Sequence, residues 1–552
     1  MFIFILQVRH MLDEHAEFYL FAAFSATVWA IWLLKVVLSR RYETFTGEFT
    51  GTASVIVPVV DEPEDLFRDV LRRIVAQGPH ETIVVINGAR NEALERICDD
   101  LAPAVRWLHT PIPGKRNAVK VGTEASTGEI TVLVDSDTIW TDGTLVELLR
   151  PFAEESVGGV TTRQRILEPE RSWITRWADW LENSRGLYSM PAQSVVGQVG
   201  CLPGRTIAFR RNILVRVMEK FMTEKFLGVF LEVSDDRTLT NLTLKEGYRT
   251  VYQFSSLVYT DAPLQVRKLY KQQLRWARGS QYNTLRMLPW MLMHAPVLAV
   301  FFVVDILLPF MLLGTIVGWV YRAASGTGVN LYQAILQEAV GNSGWILVIG
   351  LMVVSSVLSM AFRQLRHLRE KPSDFFRLPV FIIVSSLFLM PVRFLGFVRM
   401  AHVAGWGTRA GAYDRTTDQL MAELDDLQDA TAPVDVVDRG GQPAGGEVAG
   451  QVAGQAAGQA AGQAAGQAAG QVADDAAGRS LADEVFGPRP AGEPSAAPAS
   501  EPVAGTAVEL RAEAPAPTTR RRATTVRTRN PLVLVPYGIA VVILGLEALL
   551  YV

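Results

Sequence analysis

Between residues 52 and 285 short β-branched runs alternate with amphipathic stretches, and on both sides of this block the chain becomes apolar for long enough to cross a bilayer. The strand-like runs are Ser54–Val60, Glu81–Asn87, Val105–Thr110 and Glu129–Asp135, with stretches such as Leu66–Val75 and Asn91–Leu101 between them. Near-continuous apolar strands separated by helices predict an α/β domain whose mostly parallel sheet is buried on both faces. Ligands bind such sheets at the carboxyl ends of the strands. Candidate chemistry is therefore sought there.

The flanking runs set the rest of the architecture. Residues 18–38 are apolar and are followed at once by Arg40 and Arg41. Asp13 and Glu14 precede the run and no small-residue cleavage site ends it, so it reads as an anchor, not a cleaved leader. Positive flanks mark the cytosolic side, which makes the α/β block cytosolic and the protein a multi-pass plasma-membrane protein in contact with lipid. Residues 296–320 and 344–363 then fit a hairpin that leaves the cytosol and returns to the basic cluster Arg363, Arg366, Arg369 and Lys371. Residues 376–400 are interrupted by Pro391, Arg393 and Arg399, so a re-entrant or interfacial course is expected there, with a full span as the alternative. From about 411 the chain turns to Ala-Gly-Gln repeats and then Pro-, Ala- and Glu-rich sequence. Such a composition cannot bury enough apolar surface to order itself.

The expected division is thus an N-terminal transmembrane helix (1–42), a cytosolic catalytic domain (50–265), an amphipathic interface helix (266–295), a transmembrane hairpin (296–363), a re-entrant or interfacial segment (364–410), a disordered linker (411–530) and a C-terminal transmembrane helix (531–552). Composition agrees. The 552 residues exceed one compact core, and 49% of them are apolar. A net charge of −3 gives no global field for nucleic acid, and none is expected as a partner. Two distant cysteines, Cys98 and Cys201, suggest neither a disulfide framework nor a metal site.

Four short motifs carry the candidate chemistry. Asp135-Ser136-Asp137 ends a strand, where two carboxylates at i and i+2 can meet a divalent cation and a diphosphate; Mg²⁺ and Mn²⁺ take such oxygen ligands. An Asp pair in a loop is by itself more often turn chemistry. Gly114-Lys115-Arg116-Asn117 opens a helix after a strand, a place that favours anionic phosphate. Ser234-Asp235-Asp236-Arg237 offers two adjacent carboxylates that can divide their roles: one pairs with an arginine or caps the following helix, and the other stays available as a base. Gln272-Gln273-Leu274-Arg275-Trp276 lies in a basic amphipathic stretch. Part of that stretch suits an anionic lipid surface, but Trp and Arg together also make a sugar platform and an anion clamp.

In this order, and followed by membrane helices, the motifs resemble those of the processive family 2 glycosyltransferases, which include cellulose, chitin and hyaluronan synthases. The resemblance covers residues 50–410. Ser234-Asp235-Asp236-Arg237-Thr238-Leu239-Thr240-Asn241 and Trp406-Gly407-Thr408-Arg409 resemble the hyaluronan synthases most. The resemblance implies a GT-A-like mixed, mostly parallel sheet and a hexosyltransferase that polymerises and exports a polysaccharide. Its implied partners are UDP-GlcNAc and UDP-GlcA as donors and the growing glycan as acceptor, with Mg²⁺ or Mn²⁺ as cofactor. It implies Asp236 as catalytic base and Asp137 as metal ligand. Asp61, Asn87, Lys115, Arg116, Asp135, Asp137, Arg275, Trp406 and Arg409 are the implied nucleotide-sugar residues. Asp235, Arg237, Gln272 and Trp276 fall on the acceptor side. Trp406 and Arg409 match a cytosolic segment that closes over the nucleotide, which also favours the re-entrant course for 376–400.

Three departures stand out. Asn87 replaces the family's Asp before Gly88, Ser234 stands where the family has Gly, and Cys201-Leu202-Pro203-Gly204 replaces a Gly-Pro-Leu segment. The alternatives within enzymes are a synthase of another β-linked polysaccharide and a non-processive lipid glycosyltransferase. A dinucleotide-dependent oxidoreductase would need Gly-x-Gly-x-x-Gly after the first strand, where the chain reads Val59-Val60-Asp61-Glu62-Pro63. The oligomeric state is not encoded in any motif.

Overall fold

The computed structural model describes residues 16–230, 233–325, 344–402, 437–438 and 530–548. Eleven strands occur among them: β1 (Ala53–Val59), β2 (Glu81–Asn87), β3 (Val105–Thr110), β4 (Ile130–Val134), β5 (Thr138–Trp140), β6 (Val157–Ile166), β7 (Thr206–Arg210), β8 (Lys225–Phe226), β9 (Val229–Phe230), β10 (Arg249–Thr260) and β11 (Val437–Asp438). The helices are α1 (Ala16–Ser39), α2 (Glu64–Val75), α3 (Glu92–Asp99), α4 (Lys115–Ala125), α5 (Thr144–Leu149), α6 (Trp173–Ser184), α7 (Met190–Val195), α8 (Arg211–Met222), α9 (Asp235–Lys245), α10 (Val266–His294), α11 (Pro296–Ser325), α12 (Gly344–Arg363), α13 (Leu365–Glu370), α14 (Leu378–Ile383), α15 (Met390–Val398) and α16 (Val535–Ala548).

The expected mixed sheet is present, in the order β11-β3-β2-β1-β4-β7-β6-β10-β5. The block β3-β2-β1-β4 is parallel, and β7 runs antiparallel to both β4 and β6. Every residue of β1 is buried, as a strand covered on both faces requires. Alternation then divides its side chains. Val55, Val57 and Val59 join one core with α2, α3 and α5, while Ile56 joins a second core with α4, α8 and α9. On α2 the buried set is Phe67, Val70, Leu71 and Ile74, spaced at helical period, and each contributes about 1.5–3 kcal/mol of transfer energy. The parallel block brings the ends of β1, β2, β3 and β4 to one edge.

By length and composition, four helical stretches among the described residues suffice to cross a membrane: Leu20–Ser39, Pro296–Gly318, Pro372–Val398 and Pro531–Ala548. The third covers the segment where a re-entrant course is expected. It is helical throughout, because a π turn at Val384–Leu389 precedes Pro391 and relieves the clash a proline makes with the preceding turn. Both ends of this stretch touch the α/β domain or α10. Lys371 Nζ donates to Asp179 Oδ2 of α6 at 2.8 Å, and Arg278 of α10 donates to the His402 carbonyl. In between, Phe381 stacks on Trp180 at 5.1 Å, and a Cβ on Gly396 would stand 2.6 Å from Ala277 Cβ. The stretch therefore runs beside α10. Residues 411–436, 439–529 and the motif residues Trp406 and Arg409 lie outside the described residues.

Candidate active site

The strand ends supply the first components. Asn87 closes β2 and is 1% exposed. Its Nδ2 donates to the Val59 carbonyl at 2.9 Å, and its Oδ1 accepts from the Gly114 N–H at 3.1 Å. The amide thus ties the end of β1 to the turn that opens α4, and it is held inside the fold. Asp61 follows β1 and is exposed. Its neighbour Glu62 is buried and accepts from Ser136 Oγ at 2.6 Å, which fixes the Asp-Ser-Asp turn against the β1 loop.

That turn is closed by the Thr138 N–H donating to the Asp135 carbonyl at 3.0 Å, which sends Asp135 and Asp137 out of β4 together. Lys115, the first residue of α4, forms an ion pair with Asp135. Burial works against its ammonium. Asp135, with Asp235 and Asp236 beyond it, outweighs burial and holds the pKa above the ordinary lysine value. Among the described residues no group of three or more His, Cys, Asp or Glu side chains could hold a metal ion. The aspartate pair is a two-donor set of hard oxygens. It suits Mg²⁺ or Mn²⁺ only when phosphate oxygens fill the remaining positions.

Asp235 and Asp236 begin α9 and divide as adjacent carboxylates can. Asp235 Oδ1 accepts from Arg116 Nε at 2.7 Å, with the two side chains 8% and 1% exposed. Arg116 also donates to the Phe221 carbonyl at 2.9 Å and lies over Phe221 and Phe230. This pair is structural in its surroundings, so Arg116 does not face the opening beside Lys115. Arg237 is likewise enclosed. It donates to Ser280 and to Thr284 Oγ1 of α10 and stacks 3.9 Å from the Phe302 ring. Asp236 is half-buried and oriented by backbone. Its Oδ2 accepts from the Gly204 N–H at 3.1 Å and its Oδ1 from the Arg237 N–H at 2.8 Å. A Cβ on Gly204 would stand 3.3 Å from Asp236 Cβ and 3.5 Å from Lys115 Nζ, so the base candidate and the lysine meet across this glycine.

Helix α10 closes the site. Arg275 is desolvated, which lowers its pKa, while Asp135, Asp236, Asp235 and Asp137 all act to restore the charge. Its Nε is buried with no hydrogen-bond partner among the described residues. Trp276, one residue on, is exposed and faces Arg205 at 5.9 Å. Gln272 and Trp276 line a small recess with Trp177, Glu182, Arg205 and Asp261. Cys201 approaches Asp236 at 4.0 Å, and burial followed by that carboxylate pushes its thiol up to about 12.

The structure thus brings together Lys115, Asp135, Asp137, Asp236 and Arg275, and sets Gln272 and Trp276 beside them. It encloses Asn87, Arg116, Asp235 and Arg237 within the supporting packing. Motif reading missed Glu62, Trp177, Glu182, Arg205 and Asp261. Glu62 and Asp261 sit just past strands β1 and β10, where a search of every strand end would have found them. Arg205, Glu182 and Trp177 belong to no short motif.

Residues 51–279 match the model of the glycosyltransferase like family 2. The hyaluronan synthase of Streptococcus pyogenes is 24% identical over 424 residues, covering 74% of this chain and 96% of that protein. The N-acetylglucosaminyltransferase of Mesorhizobium japonicum is 30% identical over 250 residues, covering 44% of this chain and 58% of that one. Its counterpart from Azorhizobium caulinodans is 31% identical over 245 residues, covering 43% and 61%. Among solved structures, the Pyrobaculum calidifontis mannosyltransferase in complex with GDP-Man and Mn²⁺ covers 68% of this chain and 99% of its own, at 18% identity and a TM-score of 0.45.

Proposed function

We propose that this glycosyltransferase, which carries a family 2 domain and is hyaluronan synthase-like, polymerises a polysaccharide from UDP-GlcNAc and UDP-GlcA and passes it across the membrane. One observation carries the reading. Segments far apart in sequence deliver Lys115, Asp135, Asp236 and Arg275 to the same strand-end edge, with an exposed Trp276 beside a small recess. Two cations among carboxylates suit a diphosphate, and a Trp beside Gln272 suits a sugar face.

In the mechanism we infer, the Asp236 carboxylate takes the proton of the acceptor hydroxyl. The freed oxygen attacks the anomeric carbon from the face opposite UDP, and the bond from that carbon to the diphosphate oxygen breaks, inverting the configuration. The two backbone N–H groups on Asp236 orient it for this proton transfer, which as general base catalysis is worth about 10²–10⁴ in rate. Lys115 and Arg275 hold the charge left on UDP. The orphaned Nε of Arg275 suits an anionic oxygen in that position. Asp137, with Asp135 beside it, would hold Mg²⁺ or Mn²⁺, which when bound neutralises the diphosphate. Asp61 would meet the nucleoside at the mouth, and Trp406 and Arg409 would close over it. Asn87, Arg116, Asp235 and Arg237 act by holding these groups in place.

The catalytic domain is proposed to be cytosolic in a multi-pass plasma-membrane protein. Contacts at Lys371 and His402 at the two ends of the 372–398 stretch support an interfacial course for it, since both ends then stay on the catalytic side.

A second reading is favoured by the N-acetylglucosaminyltransferases that are 30% and 31% identical over this domain: transfer of GlcNAc alone. Product length after incubation with UDP-GlcNAc and UDP-GlcA, together and separately, and with UDP-glucose alone, decides. Long polymer only with both donors supports the first reading. Oligomers from UDP-GlcNAc alone support the second, and polymer from UDP-glucose alone overturns both.

A further inference from the structure

The hairpin β8–β9 precedes the Ser-Asp-Asp-Arg motif in sequence, β9 ending at Phe230 and the motif starting at Ser234, yet it has little to hold it together. Each strand has two residues, paired Lys225 with Phe230 and Phe226 with Val229. An isolated pair this short is not stable in water. The turn places Leu227 at φ 50° and Gly228 at φ 76°. Two-residue turns of this kind favour Asn-Gly, and a leucine in the left-handed region is strained.

Support comes from the other end of the chain. Asn530, the residue before the 3-10 turn that starts the last helical stretch, donates from Nδ2 to the Leu227 carbonyl at 3.0 Å. Its Oδ1 accepts from the Leu532 N–H at 3.0 Å, so the same side chain caps its own turn. Val533 packs into a cluster with Phe226, Val229, Val233 and Tyr282. Farther along, Tyr537 Oη meets His402 Nε2 at 2.9 Å, which fixes α16 against the end of the interfacial stretch.

The hairpin in turn positions the motif. Phe230 lies 5.4 Å from the Arg116 guanidinium, which holds Asp235. Tyr282 Oη donates to the Val233 carbonyl at 2.6 Å, one residue before Ser234. We infer that Asn530 is a positioning residue for the catalytic loop. The C-terminal helix, beyond its anchoring role, clamps the Leu227–Gly228 turn and so holds Asp236 in register with Gly204 and Lys115. This inference rests on the reading of Asp236 as the base.

The test uses the full-length membrane protein and Asn530→Asp, which keeps the oxygen that caps Leu532 and loses the donor to Leu227. Turnover at saturating donors should fall at least about fivefold with donor KM within about twofold. Trypsin cleavage after the exposed Lys225 should become at least about fivefold faster. Leu227→Gly removes the strain that the contact offsets, so in that background the turnover loss on adding Asn530→Asp should shrink below about twofold. Turnover of Asn530→Asp within twofold of the parent overturns the inference, as does an equal loss in both backgrounds. Failure of the wild-type protein to make polymer would instead count against the functional reading, and the cleavage comparison then decides the contact on its own.

Discussion

The Arg116 guanidinium donates to the Asp235 carboxylate at 2.7 Å, joining the start of α4 to the start of α9 with almost no solvent access to either side chain. A buried pair of this kind is costly to break one-sidedly, because the remaining charge is left without a partner. Asp235→Asn and Arg116→Gln should each destabilise the catalytic domain by about 3–5 kcal/mol. Thermal unfolding in detergent reads this directly. The expected signature is a fall in midpoint together with activity, and an unchanged midpoint in either variant would remove the structural role.

Asp236 should behave in the opposite way. Its carboxylate is held by two backbone N–H groups, and an asparagine can keep at least one of them. Asp236→Asn should lower transfer by about 10²–10⁴ while UDP binding and unfolding temperature stay near those of the parent. Elongation at a near-normal rate would show that another group takes the proton.

The contrast between these neighbours marks where motif reading reaches its limit. Asp135, Asp236, Arg275 and Trp276 were legible as candidates because short patterns at strand and helix ends carry chemistry that depends on local spacing. The roles of Arg116 and Arg237 were not. Whether an arginine faces a ligand or the interior is decided by Phe221, Phe230 and Phe302, which come from distant segments. The sheet was readable from the buried runs of β1 to β4. The antiparallel insertion of β7 between β4 and β6 was not, because nothing in Thr206–Arg210 specifies its neighbours. Ser234 shows the reverse case. Its φ of 65° explains why glycine suits that position, so the departure noted from sequence acquires a backbone cause.

Gly279 passes under that same turn. A Cβ on Gly279 would stand 2.6 Å from Ser234 Cβ, closer than packed carbon atoms allow. Gly279→Ala should therefore push α10 from the turn at Ser234, at a cost of about 1–3 kcal/mol and with loss of turnover. Ser234→Gly removes both the left-handed strain and the Cβ that Gly279→Ala would strike, and should stabilise the parent by about 1 kcal/mol. Combining the two should recover stability relative to Gly279→Ala alone. A double variant no better than the single one would place the clash elsewhere.

Asp179 makes the contact between α6 and Lys371, at the start of the 372–398 stretch, sensitive to acid. Burial pushes its carboxyl up, but Arg165 and then Lys371 outweigh burial and hold the pKa at about 2, below the ordinary 3.8. The folded value is depressed, so the stabilisation is complete above the unfolded pKa and is lost as pH falls through about 4 toward 2. The side chain is only 2% exposed, and the shift corresponds to roughly 2–3 kcal/mol. Unfolding temperature measured from pH 5 to pH 2 should fall more steeply for the parent than for Asp179→Asn. Parallel slopes would assign the acid sensitivity to other carboxylates.

The chain between β11 and Asn530 should be dispensable as sequence but not as a connection. Its Ala-Gly-Gln repeats offer little to pack, while Val437–Asp438 pairs with β3 and Asn530 holds the Leu227 turn. Loop closure depends only weakly on length, about 0.6 kcal/mol per doubling, so a shorter tether can still deliver the last helix to its seat. Removing residues 443–525 should leave polymer synthesis within about twofold of the parent. Removing residues 443–552 takes the helix away as well and should cost at least the loss expected for Asn530→Asp. Product yield from the two deletions, normalised to protein in the membrane, gives the comparison. Inactivity of the internal deletion would mean that the repeat tract itself contributes to the reaction.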